Sequence, residues 1–229
     1  MPGDHHQGPA GARPRRGGVP VSPAHPVVLD SWLVRDGRAA GLELHLERFA
    51  ASCRELTGQP PSASFLDEVR AACARARGEW FPKIEAREGR WELTMRPAPA
   101  RRATTTLWIP EHPDGRSHPG HKGPDMPALL NLRERARAHG ADDAVLHRDG
   151  AVVEAATATL LFARGRTLIR PPGPRLPSVT ERLWARSWPG PVRTQAVFLE
   201  EAPSLRCWAL SSLHGATEVV GWWGASAPR

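Results

Sequence analysis

Among the 31 lysines and arginines of this chain, only Lys83 and Lys122 are lysine. In a chain that writes its cations as arginine, a retained lysine points to chemistry that a guanidinium cannot do. A desolvated ammonium can lose its proton and attack a carbonyl, whereas arginine stays charged throughout the accessible pH range. Lys122 opens the stretch Lys122-Gly123-Pro124-Asp125-Met126-Pro127, directly before the most regular segment of the protein, and is the candidate Schiff-base lysine. Chance retention on a loop is the competing reading, and it suffices for Lys83. Other chemistry-bearing residues are sparse. His112, His118 and His121 fall in a proline-rich stretch with irregular spacing, a weak pattern for metal ligands. Cys53, Cys73 and Cys207 form no CxxC pair and leave one over, as expected of buried thiols in a reducing cytoplasm.

The elements that must position Lys122 alternate between two periodicities. Val27–Val34 reads as a strand closed by the turn Arg35-Asp36-Gly37. Leu42–Leu56 is amphipathic at helical period, stopped by Gly58 and Pro60-Pro61, and a second helix starts at Ser64 and ends by Gly78. Strands over Trp80–Ala86, Trp91–Arg96 and Thr104–Ile109 complete an α+β half. Residues 110–121 read as a linker or site loop. A helix over Asp125–His139, ended by Gly140, precedes strands at Ala144–His147, Val152–Glu154, Thr159–Ala163 and Thr167–Ile169. A further helix runs from the Leu176–Thr180 segment towards Trp188, and strands near Val192–Phe198, Trp208–Leu210 and Thr217–Val220 close the chain.

The formal net charge is +7, with charged residues at 24% and hydrophobic residues at 40%, values ordinary for a globular protein. Basic and acidic residues interleave, as in Arg133-Glu134-Arg135. This reads as composition bias rather than a concentrated phosphate-binding face, so no nucleic-acid partner is expected, with a basic nucleic-acid-binding module as the competing class. No apolar run is long enough to span a membrane. The first 26 residues are rich in Gly, Pro and Arg, lack a signal-peptide core, and read as a disordered tail.

In order and spacing, His45-Leu46-Glu47-Arg48-Phe49, Lys122, Gly140–Leu146, Val153-Glu154 running into Thr159-Leu160-Leu161, and Leu176-Pro177-Ser178-Val179-Thr180 resemble the class IV, fold-type IV pyridoxal-phosphate enzymes. That family includes branched-chain and D-amino-acid aminotransferases and 4-amino-4-deoxychorismate lyases. The resemblance runs from about Val27 to Gly221 and implies a two-domain α+β fold. Its parts are a small α/β domain over residues 27–109, a linker or site loop over 110–121, and a larger cofactor-binding pseudo-barrel domain over 122–229. It implies a cytoplasmic homodimer working on a small-molecule amino donor and acceptor.

The resemblance also implies roles. Lys122 holds pyridoxal 5′-phosphate as an internal aldimine and then shuttles a proton. Glu154 partners the pyridine nitrogen, which favours the electron sink. Arg48, Val179, Thr180 and, by the matching loop Ser211–Gly215, Ser212 hold the phosphate through a guanidinium fork, backbone amides and hydroxyls. The pattern departs from the family in several places, the shorter loop Pro171–Arg175 and shorter chain among them. There is no tyrosine anywhere, residues 155–159 read Ala-Ala-Thr-Ala-Thr where Gly, Ser and Asn are common, and Glu181 stands where an arginine is usual. The expected activity is that of a class IV aminotransferase on a small amino acid or amino-acid-like substrate. The pyruvate-releasing lyase reaction and a non-catalytic member of the fold are the alternatives.

Overall fold

The computed structural model describes residues 27–224; the expected N-terminal tail lies outside them. Chain order begins with β1 (Val28–Ser31), β2 (Val34–Arg35) and β3 (Arg38–Ala39). Next come α1 (Leu42–Thr57), α2 (Ala63–Arg75), β4 (Glu79–Trp80), β5 (Lys83–Arg87) and β6 (Arg90–Thr94). The strand expected over Val27–Val34 is two strands in two sheets: β1-β5-β6, and β3-β2-β4. The register explains the break. Ser31 faces Lys83 and Val34 faces Trp80, so Trp32 and Leu33 lie opposite Pro82 and Phe81. Pro82 has no N–H to give the ladder, and both partners part there. The hairpin turns at Asp36-Gly37, Glu88-Gly89 and Asp149-Gly150 carry positive φ at both central residues, the backbone that suits a right-twisted hairpin.

Helix α1 buries Leu46, Phe49 and Cys53 against Val28, Trp32, Val69 and Ile84. At about 2 kcal/mol for each large apolar side chain removed from water, this cluster fixes α1 against β1. Helix α2 is capped by Ser62, whose hydroxyl accepts from the Phe65 amide at 3.2 Å; the cap falls two residues before the start expected at Ser64.

The remainder of the chain forms an eight-stranded sheet. Its elements are β7 (Thr104–Trp108), α3 (Met126–Ala138), β8 (Asp143–Arg148), β9 (Ala151–Ala155), β10 (Thr159–Arg164) and β11 (Thr167–Arg170). They continue with α4 (Val179–Ala185), β12 (Val192–Thr194), β13 (Arg206–Ser211) and β14 (Gly215–Trp223). The strand order is β12-β11-β10-β13-β14-β7-β8-β9, and edge strand β9 returns to touch β10. The sheet thus curls around a core of Leu107, Val145, Val152, Leu160, Phe162 and Val197. Strand β7, which chain order groups with the first half, belongs to this sheet through parallel pairing with β14 and β8. All three cysteines are buried free thiols; burial pushes the Cys53 thiol up to about 12.

Candidate active site

Each piece of the candidate site is anchored by a neighbour distant in sequence. Three consecutive residues of β1 do much of this. The Leu29 amide donates to the Lys122 carbonyl at 2.8 Å. The Asp30 carboxylate accepts from Arg48, and the Ser31 carbonyl accepts from the Ser212 hydroxyl at 2.8 Å. Gly123 lets β1 come this close. Its φ is +135°, and a Cβ there would sit 2.2 Å from the Val27 carbonyl oxygen, so only glycine fits. Asp125, just after it, accepts from the Ser117 and His118 amides at 3.0 and 2.8 Å, tying the preceding loop to the start of α3.

The six residues expected at the site, Arg48, Lys122, Glu154, Val179, Thr180 and Ser212, all line one cleft of about 620 Å³, part of it open to solvent. Lys122 is half-buried, and its ammonium makes no hydrogen bond or ion pair among the described residues. Burial holds its ammonium below the usual lysine range, and Arg48 and Arg96 push the same way against Asp30 and Glu154. A lowered amine pKa on the wall of a cleft is what a carbonyl-reactive lysine needs.

Glu154 lies within the buried run of β9 and is 4% exposed. Its Oε1 accepts from Arg116 Nη1 at 2.5 Å and from the Leu176 amide at 3.2 Å, while Oε2 has no hydrogen bond among the described residues. Burial raises the Glu154 carboxyl above its ordinary range, opposed by the Arg116 guanidinium. Arg116 is itself clamped side-on by Asp114, with Nε and Nη2 each 2.9 Å from a carboxylate oxygen. Burial would lower the Arg116 pKa, but the Asp114 and Glu154 carboxylates raise it.

The first turn of α4 also lines the cleft. Ser178 caps it, accepting from the Glu181 amide at 3.2 Å. The amides of Val179 and Thr180 precede the first intrahelical bond and so are unsatisfied donors, and the Thr180 hydroxyl has no described partner. Glu181, in place of the family's usual arginine, is buried and ion-paired with both Arg170 and Arg175, the latter at 2.5 Å. Burial would raise its pKa, but the two arginines hold it below the ordinary range. Its charge is therefore matched away from the cleft. The Ser212 hydroxyl donates to Ser31, so its proton is directed at the backbone; the Ser211 hydroxyl accepts from the His214 amide at 3.1 Å.

Two charged residues of the site were not singled out from sequence. Arg116 carried no signal in so arginine-rich a chain. Asp30 did carry one: a carboxylate inside the apolar run Val27–Leu33 is out of place unless paired. It is fully buried and held by Arg48, Nη2 to Oδ1 at 2.7 Å and Nε to Oδ2 at 3.0 Å, and by His45 Nδ1 at 3.1 Å. Of the three loop histidines, His121 lines the cleft and turns its ring to Ser52 and Glu55. No three potential ligands among His, Cys, Asp and Glu converge among the described residues.

Among the described residues, an amine without a counterion, a buried carboxylate with a spare oxygen, and open amides at a helix start line a cleft suited to a phosphorylated aldehyde. Residues 27–222 match the family model for amino-transferase class IV, and the chain belongs to that family. Solved structures agree on the fold. A fold IV-transaminase, CpuTA1, from Curtobacterium pusillum is 20% identical, with 90% of this chain and 82% of that one covered and a TM-score of 0.75. A hypothetical aminotransferase from Mycobacterium tuberculosis in its PLP-bound form is 23% identical over 94% of this chain and 90% of that one, with a TM-score of 0.75. The 4-amino-4-deoxychorismate lyase from Pseudomonas aeruginosa is 20% identical over 90% of this chain and 89% of that one, with a TM-score of 0.73. No curated protein sequence matches the chain.

Proposed function

We propose that the chain is a pyridoxal-phosphate-dependent class IV aminotransferase-like enzyme that acts on a small amino acid or amino-acid-like substrate. The observation that carries this reading is Lys122. Arg48 and Arg116, the arginines of the cleft, are both ion-paired with buried carboxylates, while Lys122 has no counterion among the described residues. Bound there, the cofactor would supply an electron sink for negative charge developing at the substrate's Cα.

The chain's own residues suit the rest. Lys122 Nζ would anchor the cofactor's aldehyde and, once released, carry the proton to and from the reacting carbon. The free Oε2 of Glu154 would accept from the pyridine nitrogen, and the Arg116–Glu154 pair supports keeping that carboxylate charged. The Val179 and Thr180 amides, the Thr180 hydroxyl and Arg48 would hold the phosphate. Ser212 would contribute its backbone N–H more readily than its hydroxyl, which is already donated to Ser31.

The lyase reaction on 4-amino-4-deoxychorismate is the second reading. Two features favour it: the likeness to the Pseudomonas aeruginosa lyase, and the Leu176-Pro177 and Ser211–Gly215 segments, which look lyase-like and contribute Leu176, Ser211 and Ser212 to the cleft. Purified protein should turn yellow with pyridoxal 5′-phosphate, and borohydride reduction should fix the cofactor to the Lys122 peptide. Amino transfer to a keto acid then supports the first reading and pyruvate release the second. A protein that takes up no cofactor refutes both and leaves the non-catalytic alternative.

A further inference from the structure

We propose that Asp30 is a positioning residue for the anion end of the cleft: it holds one edge of the Arg48 guanidinium so that the other edge is presented to the first turn of α4. The proposal rests on the cofactor reading above. A guanidinium offers its N–H groups in a rigid planar fork with a side edge, Nε and Nη2, and an end edge, Nη1 and Nη2. Asp30 takes the side edge, with Nε at 3.0 Å from Oδ2 and Nη2 at 2.7 and 2.8 Å from the two oxygens. The end edge then has one possible direction, and Nη1 reports it by donating to the Pro177 carbonyl at 2.9 Å. Pro177 immediately precedes Ser178, the cap of α4. The N–H groups of Arg48 not used by Asp30 therefore lie beside the unsatisfied amides of Val179 and Thr180.

The carboxylate that does this is buried and held on several sides. Asp30 lies within β1, paired in register with Ile84 of β5. His45 Nδ1 stands 3.1 Å from its Oδ1, and the imidazole packs on Trp32 with ring centroids 5.4 Å apart. The residues on either side of Asp30 are bonded to Lys122 and Ser212. One strand thus sets the anion-side cation, the reactive amine and the Ser212 loop in a common frame. Freed of Asp30, Arg48 would keep His45 Nδ1 and Pro177 as its only described acceptors, and its end edge would lose a defined direction.

Two effects of removing the Asp30 charge oppose each other. The cleft becomes more positive, which favours an anion, and Arg48 loses its orientation, which disfavours a directed fork. The second dominates because charge-assisted bonds depend steeply on geometry. The test titrates wild type, Asp30→Asn and Asp30→Glu with pyridoxal 5′-phosphate and with pyridoxal, following near-visible absorbance. Asp30→Asn is expected to weaken the phosphorylated compound by about tenfold or more, the loss of one charge-assisted contact, and to leave pyridoxal within about twofold of wild type. In an Arg48→Lys background the same change should have no further effect.

Equal weakening for both compounds means that Asp30 is merely structural and overturns the proposal. Unchanged or tighter binding of the phosphorylated compound overturns it too, leaving Asp30 as a simple charge neutraliser. If Asp30→Asn does not fold by circular dichroism, Asp30→Glu carries the test, since it keeps the charge but displaces the fork by one methylene. The same phosphate-selective loss is expected of it, and its absence overturns the proposal. A wild-type protein that binds neither compound refutes the cofactor reading, and the proposal with it; binding by wild type with no selective loss refutes the proposal alone.

Discussion

Replacing Arg116 with methionine tests the charge arrangement on the Glu154 side of the cleft. Methionine keeps roughly the length and apolar stem of arginine and deletes the guanidinium that joins Asp114 to Glu154. Both carboxylates are enclosed, their side chains 0% and 5% exposed, and among the described residues only Asp114 keeps a second ion-pair partner, Arg148 at 3.7 Å. Breaking a buried ion pair by removing one partner costs about 3–5 kcal/mol, so a loss of about that size is expected in urea unfolding at pH 8. The loss should shrink at pH 5. The Glu154 carboxyl already binds its proton more tightly in the folded protein than in the unfolded chain, and without Arg116 it will bind it more tightly still. Where the native state holds more protons than the unfolded state, stability falls as pH rises from the unfolded glutamate pKa through the folded one. Each unit of added elevation corresponds to about 1.4 kcal/mol, and the recovery between pH 8 and pH 5 should be of that order. In the wild-type protein Asp114 has the opposite sign. Arg116 and Arg148 overcome the burial that would raise its pKa and hold it down, so its contribution is present above the unfolded aspartate pKa and is lost as pH falls through the folded one. A loss under about 1 kcal/mol, or one equal at both pH values, would refute the view that the Arg116 charge neutralises this side of the cleft.

Lys122→Met should abolish the yellow colour with pyridoxal 5′-phosphate yet leave the melting temperature unchanged or slightly higher, because the ammonium it removes is partly desolvated and unpaired; a melting temperature several degrees lower would show a structural lysine. Gly123→Ala should cost at least about 2 kcal/mol in urea unfolding, since its Cβ would overlap the Val27 carbonyl and its φ is +135°; near-wild-type stability would contradict the close approach of β1 to Lys122. Glu181→Arg, which restores the residue common in relatives, should destabilise this chain by about 3 kcal/mol or more by facing Arg170 and Arg175 with a third cation, read by thermal melts at pH 8.

What was legible in the sequence was local. Helix α1, expected over Leu42–Leu56, spans Leu42–Thr57, because its apolar face, Gly41 and Gly58 all lie within one stretch. Helix α3 likewise runs to Ala138 just before Gly140. Elements whose ends depend on distant partners were less legible. The helix expected to reach Trp188 stops at Ala185, where Trp184 and Trp188 turn onto Trp208. The strand expected over Val192–Phe198 is only Val192–Thr194, because the Val197 carbonyl leaves to accept from Val152. The parallel pairing of β7 with β14 joins residues over a hundred positions apart along the chain, and no periodicity announces it. The candidate site divides the same way. Lys122, Arg48, Glu154 and the α4 turn were visible as residue types in a recognisable order, whereas the partners of Arg48 and Glu154, Asp30 and Arg116, are defined only once the sheets form.

The arrangement of charge explains why a lysine, and only one, stands at the cleft. Arginine keeps its proton in any environment, so a buried guanidinium needs carboxylates or the fold bears an uncompensated charge. The chain meets that requirement repeatedly: Asp30 for Arg48, Asp114 and Glu154 for Arg116, Glu181 for Arg170 and Arg175. Lysine has another way out. Desolvation can lower its pKa until the amine is neutral, and a neutral amine needs no counterion. An arginine at position 122, with the same burial and without a carboxylate, would be an unpaired buried charge. A lysine there becomes less basic and more nucleophilic through the same burial. Its lack of a counterion among the described residues is therefore consistent with a stable fold and, on the proposed reading, would also prepare the amine for a carbonyl.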